Sequence, residues 1–148
     1  MRRFVHIVGS RGISDTDSRS IARSALRLLT EYLAEHRGIG EPQEVTEPAY
    51  IATMQYTKAT LLVRTREILD DGSIVEIVVW ELPEPLPPSG HHFKYRLFYG
   101  VAGICRIRYD NERGKGDHRH IGDDEQDYSF TSVEQLFDDF ERDIANWS

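Results

Sequence analysis

The apolar positions of this chain change period twice. Ile21, Ala25, Leu28, Leu29, Tyr32 and Leu33 recur every three or four residues behind the candidate caps Ser14 and Asp17, which predicts an amphipathic helix ending by Gly38. A short apolar run at 4–8 reads as a strand ahead of it. Across 37–53 the period is lost, and Gly40, Pro42 and Pro48 keep the stretch from continuing as helix, so it reads as a linker or an irregular crossing. From residue 58 strands take over. Residues 58–66 (KATLLVRTR) and 73–82 (SIVEIVVWEL) are rich in β-branched and aliphatic side chains and predict a hairpin through Asp70, Asp71 and Gly72. Pro83, Pro85, Pro87 and Pro88 end the second strand. Residues 93–99 (FKYRLFY) and 104–109 (ICRIRY) predict the next two, and 118–121 a last short one. Thr131 and Glu134 then stand at capping-box spacing, and Val133, Leu136, Phe137, Phe140, Ile144 and Trp147 return to a helical period.

These elements imply an α+β fold, an antiparallel sheet of four to five strands with a C-terminal amphipathic helix and an N-terminal helical extension. The division expected is an extension over 1–53 and a compact α+β domain over 54–148. Register in the second hairpin follows from the loop. With Val101, Ala102 and Gly103 as a three-residue turn, Tyr95 faces Tyr109, Leu97 faces Ile107 and Tyr99 faces Cys105, giving an apolar face. The opposite face then sets Arg96 across from Arg108, with Lys94 and Arg106 beside them. Like charges in that position oppose the sheet unless an anion is their usual companion.

Composition narrows the class. A chain of 148 residues with 39% hydrophobic and 10% aromatic residues furnishes one ordinary core. No apolar run approaches the roughly 20 residues that cross a bilayer, and the stretch at 4–8 is too short for a signal peptide, so a cytoplasmic location is expected. Cys105 is the single cysteine and reads as a buried, inert thiol. The net charge of -7 is unevenly spread. Between His91 and His120 seven basic residues face three acidic ones, whereas from Ile121 to the end one basic residue faces nine acidic ones. A basic block of this kind suits a phosphate-bearing partner whatever the whole-chain charge. Neutralisation of a basic sheet by an acidic helix beside it is the plainer alternative.

Chemistry concentrates in residues 109–121, YDNERGKGDHRHI. Cleaving RNA through its own 2′-hydroxyl needs a base for that proton, an acid for the departing 5′ oxygen, and cations for the charged transition state. Two imidazoles among cations meet all three needs, because histidine titrates near neutrality. His118 and His120 are therefore the acid and base candidates, with Lys115 and Arg119, or Arg113, as phosphate clamps. Lys94, Arg96, Arg106, Arg108, Arg113 and Asn111 form the candidate substrate-binding set. His118 and His120 point to one side of a strand and Arg119 to the other.

A metal site is the competing reading, built from His118 and His120 with Asp117, or with His91 and His92. The surrounding Arg113, Lys115 and Arg119 repel a cation, and neither a metal nor another cofactor is assigned. The histidines also fit a purely structural role in a tight turn, while His6 and His36 stand alone in apolar or helical contexts and read as structural or solvated. Gly114, Lys115 and Gly116 lack Walker spacing and open no helix, so they read as a bend that lets backbone N–H groups and one ammonium approach a phosphate.

From Met54 onward the chain resembles the TumE-type toxins of type II toxin–antitoxin modules. The resemblance rests on KATLLVRTREILDDGSIVEIVVWELPEPLPPSGHHFKYRLFYG, YDNERGKGDHRHI and YSFTSVEQLFDDF in that order, and most specifically on Lys94, Tyr95 and Arg96 and on the NERGKGDHRHI run. It implies a small toxin that acts on RNA or translation and is neutralised by a helix-turn-helix antitoxin. It carries no catalytic assignment, so the roles above come from chemistry alone. Residues 1–53 lie outside it and admit three readings: a start codon set too far upstream, an extension packing its helix on the sheet, or the remnant of a partner-binding element. The first is preferred, because a lone helix of this length is marginal. The expected function is a metal-independent ribonuclease toxin. Its rivals are a non-catalytic module binding nucleic acid or protein, and a metal-dependent nuclease. RNA and the antitoxin are the expected partners, no membrane is, and homodimerisation stays open.

Overall fold

A computed structural model describes residues 18–36 and 58–147. The strand expected at 4–8, the caps Ser14 and Asp17, His6, and the seam at 37–53 lie outside the described residues. The chain runs α1 (Ser18–His36), β1 (Thr60–Ile68), β2 (Ile74–Glu81), β3 (Phe93–Val101), β4 (Ile104–Glu112), β5 (Gly116–Ile121), β6 (Asp124–Asp127) and α2 (Val133–Trp147). The strands form an antiparallel meander in the order β1-β2-β3-β4-β5-β6.

The α+β architecture is as expected, with six strands rather than four or five. β6 escapes sequence reading because its residues, DEQD, are all polar, exposed and weak strand formers. It forms because Gly122, at φ 62°, reverses the chain and lays Asp124 against Ile121 and Asp127 against His118. The C-terminal helix is capped one residue later than Thr131. Ser132 Oγ accepts from the N–H of Gln135 at 3.1 Å, and the Ser132 carbonyl accepts from Leu136 at 3.0 Å.

One sheet face is apolar and carries both helices. Val75, Ile77, Val79, Tyr95, Leu97, Tyr99, Ile107 and Tyr109 share a core with Leu136, Phe137, Phe140 and Ile144 of α2. Ile21, Ala22, Ala25 and Leu29 of α1 lie in the same core. Buried Tyr109 and half-buried Tyr128 find carboxylates on α2: Tyr109 Oη donates to Asp143 Oδ2 at 2.5 Å and Tyr128 Oη to Asp139 Oδ2 at 2.9 Å. Burial and these carboxylates push both phenols well above the ordinary tyrosine range.

The β3–β4 register differs from the expected one by two residues. Leu97 faces Tyr109, Tyr99 faces Ile107, Phe98 faces Arg108 and Arg96 faces Asp110. The loop is the two-residue turn Ala102–Gly103, with φ of 51° and 77°, the left-handed pair that a tight hairpin needs. The pairing skips Arg106 between Gly100–Cys105 and Tyr99–Ile107, which marks a bulge. Turn and bulge together slide the pairing by an even number, so the apolar and charged faces stay segregated while an acid replaces the expected cation opposite Arg96. Arg106 leaves the cationic set and lies over the Trp147 ring of α2, 5.4 Å from its centroid.

Candidate active site on the open sheet face

The face turned away from the core carries the candidate histidines. Among the described residues neither helix packs on it. Rows of paired residues run across it: Arg64, Val78, Arg96, Asp110, His118 and Asp127 in one, and Arg66, Glu76, Phe98, Arg108, His120 and Glu125 in the next. His118 and His120 share this face, their ring centroids 5.4 Å apart.

The two imidazoles differ in exposure and in partners. His118 is buried, with its side chain 2% exposed. Its Nδ1 lies 3.1 Å from the Gly116 carbonyl and its Nε2 2.5 Å from Asp110 Oδ1, so both nitrogens face acceptor oxygens. His120 Nε2 lies 2.6 Å from Arg108 Nη2 and 3.3 Å from Glu125 Oε2. Burial and the Arg108 guanidinium hold His120 below the usual imidazole range, against the opposing pull of Glu125 and Asp110. A neutral ring whose Nε2 lone pair accepts from Arg108 is the arrangement this produces. The ring tautomers are assigned from these contacts.

Arg108 is the hinge of the group. Its Nε lies 3.2 Å from Asp110 Oδ2, so one guanidinium bridges Asp110 and His120. Neither this contact nor that of His118 Nε2 with Asp110 Oδ1 is aligned as a hydrogen bond, although both are within ion-pair distance. At the far end Lys115 Nζ sits 2.7 Å from Glu125, whose carboxyl Lys115 holds below its ordinary range. A chain of contacts thus runs from Gly116 through His118, Asp110, Arg108, His120 and Glu125 to Lys115. Replacing Arg108 with methionine removes a nearby charge and a donor to neutral His120. The NMR titration midpoint of His120, below its ordinary 6.5 in the native protein, is expected to rise. An unchanged midpoint would contradict the role given to Arg108.

The other expected residues are distributed differently. Arg96 is exposed on the open face, its guanidinium 5.9 Å from the Phe98 ring centroid, and the Lys94 ammonium donates to the Asn111 carbonyl. Arg113 is exposed in the β4–β5 turn. Arg119 points to the helix side, where it donates to Tyr109 Oη at 3.3 Å, to Asp143 at 3.2 Å and to Gln126 at 2.9 Å. Asn111 is fully buried and closes the ladder from the side: its Oδ1 accepts from the Tyr95 N–H at 3.0 Å and its Nδ2 donates to the Phe93 carbonyl at 2.8 Å.

Asp117, the acid weighed as a metal ligand, also faces the helix side. It accepts from Ser89 Oγ at 2.7 Å and Tyr95 Oη at 2.7 Å and lies 2.9 Å from His91 Nε2. Burial raises its pKa, but these partners outweigh that and leave it lowered. His91 stacks within 3.8 Å of Phe130, and His92 Nδ1 meets the Leu82 carbonyl, so neither joins the histidine pair. The acid that does is Asp110, which sequence reasoning passed over. Its signal was the alternation of Arg106, Arg108 and Asp110 along one strand. Asp110, His118 and His120 bring their ligand atoms within 4.8 Å of one another.

The acidic helix does not neutralise this face. Its acids Asp139 and Asp143 are engaged by Tyr128, Gln135, Arg142, Tyr109 and Arg119 on the opposite side of the sheet.

The sequence profile of a family described as Toxin TumE matches residues 36–148. The chain belongs to the TumE toxin family. The match starts 18 residues ahead of the expected domain boundary at 54 and takes in every strand of the sheet, α2 and the open-face site. Family membership makes the protein a toxin of a toxin–antitoxin system and implies a cognate antitoxin. No curated protein and no solved structure matches the chain. No helix among the described residues is long and apolar enough to cross a membrane.

Proposed function

We propose that this TumE-family toxin is a ribonuclease that cuts RNA on the open sheet face and so inhibits translation, acting in the cytoplasm until a helix-turn-helix antitoxin neutralises it. The observation that carries this reading is a half-buried imidazole, lowered in pKa, held between a guanidinium and a carboxylate on a cationic face. An RNA phosphate competes with His120 for the Arg108 guanidinium. Once drawn onto the phosphate oxygens, Arg108 frees the His120 Nε2 lone pair to take the 2′-hydroxyl proton. The 2′ oxygen bonds to phosphorus, the bond from phosphorus to the 5′ oxygen breaks, and that oxygen receives a proton from Lys115, which shares the Glu125 carboxylate with His120. Arg113 and Arg96 hold flanking phosphates. His118 is too buried to meet substrate and acts through Asp110, as a positioning residue for Arg108.

The convergence of Asp110, His118 and His120 favours a second reading, a metal-dependent nuclease. His118 donating Nδ1–H to a backbone carbonyl is the usual support of a metal-ligating imidazole, and a cation would satisfy the unaligned Nε2 and Oδ1. Against it, Arg108 already places a positive charge there. Incubation of the purified toxin with RNA in EDTA separates the two. Undiminished cleavage is the expected result. Loss of cutting in EDTA and its return with zinc or manganese would establish the second reading, and affinity for RNA without cutting under any condition would leave a binding module.

A further inference from the structure

We infer that the open face of β1–β4 is a stacking platform for unpaired RNA bases, with Trp80 and Phe98 as the rings that take them. The inference rests on RNA being the ligand of this face, as in the proposed function, but not on its being cut.

Large, partly exposed apolar side chains on a sheet face that, among the described residues, no helix covers need an explanation, because exposed apolar area within a charged surface can mark a binding site. Trp80 lies on this face of β2, between Leu61 of β1 and Lys94 of β3. Phe98 lies on the same face of β3, between Glu76 of β2 and Arg108 of β4. Both are partly exposed, while their neighbours Val79, Leu97 and Tyr99 are buried on the other face. Phe98 is also held in a defined pose. A Cβ on Gly100 would come within 2.7 Å of the Phe98 ring, so the ring lies across a residue that offers it a bare backbone. The ring so placed stays partly exposed, with the Arg96 guanidinium 5.9 Å from its centroid.

Charge selects the occupant. Arg64, Arg66 and Arg96 are exposed on this same face beside the two rings, and Arg108 links it to His120. Cations interleaved with aromatic rings match a backbone of phosphates carrying free bases: the guanidinium groups follow the phosphates, and any base can stack on a ring. A duplex hides its bases, so the ligand is single-stranded. Along β3 the Lys94 position that faces Trp80 is four residues from Phe98, about 13 Å in strand geometry, so the two rings take different bases. From Phe98 the row continues directly to Arg108 and His120, and the strand laid on the platform leads into the proposed site.

Trp80 and Trp147 are the two tryptophans of the chain, so Trp147→Phe leaves Trp80 as the lone fluorescent reporter. The experiment titrates that full-length protein with a mixed-sequence oligoribonucleotide whose 2′ positions are methylated, which blocks cutting through the 2′-hydroxyl. Expected are quenching of Trp80, dissociation constants that rise steeply with salt, and markedly weaker binding of the same oligomer annealed into a duplex. By fluorescence anisotropy with a labelled oligomer, Trp80→Leu and Phe98→Leu are each expected to weaken binding about 5- to 100-fold, with circular dichroism melting curves verifying that each variant is folded. Unchanged affinity in both folded variants, or bound RNA with Trp80 unquenched, would overturn the platform. Absence of binding by any single-stranded oligomer would also overturn it and leave the face to a protein partner, even if unmodified RNA were still cut. Conversely, tight quenching with no cleavage of unmodified RNA would sustain the platform while removing the ribonuclease reading.

Discussion

Replacing His120 with alanine is expected, on the proposed ribonuclease reading, to lower RNA cleavage by about two to four orders of magnitude, the range that general-base removal commonly spans, and to leave RNA affinity within a few-fold. The expectation follows from the ring's surroundings. Partial burial and the Arg108 guanidinium lower its pKa and favour the neutral form, which is the one that accepts a proton. With neutral His120 as the proposed active form, the acid limb of kcat/KM is expected to fall as pH drops through a midpoint below 6.5. His118→Asn is expected to behave differently. It disturbs Asp110 and through it Arg108, so it weakens phosphate handling and shifts the acid limb without removing the base. Cleavage rates and pH profiles of the two variants, measured side by side, check the assignment. A His120→Ala variant that cuts at full rate would refute it.

Deleting residues 1–53 is expected to destabilise the rest of the chain by several kcal/mol, enough to abolish or broaden its cooperative urea transition. α1 is part of the same core as the sheet: Leu29, Ala22 and Ala25 have no exposed surface there, and Ile21 is 6% exposed. Burying a leucine or isoleucine side chain contributes about 1.5–3 kcal/mol, and removing the helix also uncovers the apolar surface of β1, β2 and α2 against which it packs. A milder version is Leu29→Ala, expected to cost about 2–5 kcal/mol. Amide exchange supplies the complementary measurement, since residues 21–33 should be protected about as well as α2. A fragment 54–148 that melts at the same midpoint as the full chain would contradict this. We propose from the packing of α1 that residues 1–53 include an extension whose helix docks on the sheet.

Much of the fold was legible because two periods, 3.6 and 2, mark the helices and the half-buried strands without ambiguity. The opposite facing of His118 and Arg119 was legible for the same reason. What eluded the sequence depends on interactions between strands. The β3–β4 register turned on a bulge at Arg106 that only the pairing reveals, and it put Asp110 rather than Arg108 opposite Arg96. Asp110 was hidden because its partner His118 is eight residues away and meets it only across the β4–β5 hairpin. Asn111 and Arg119, read as substrate contacts from their polarity, are engaged inside the fold by Tyr95 and Asp143. Trp80 and Phe98 read as ordinary strand apolar residues, since nothing in a linear pattern tells which sheet face is left open.

The most direct measurement of the proposed reaction compares two oligonucleotides in EDTA: one all-ribose, the other identical but lacking the 2′-hydroxyl at the nucleotide that is cut. Scission of the first is expected, leaving a 2′,3′-cyclic phosphate on the upstream fragment, with the second intact. Equal cutting of both, or cutting of the first only when a divalent metal is supplied, would contradict a reaction begun by His120 on the ribose itself.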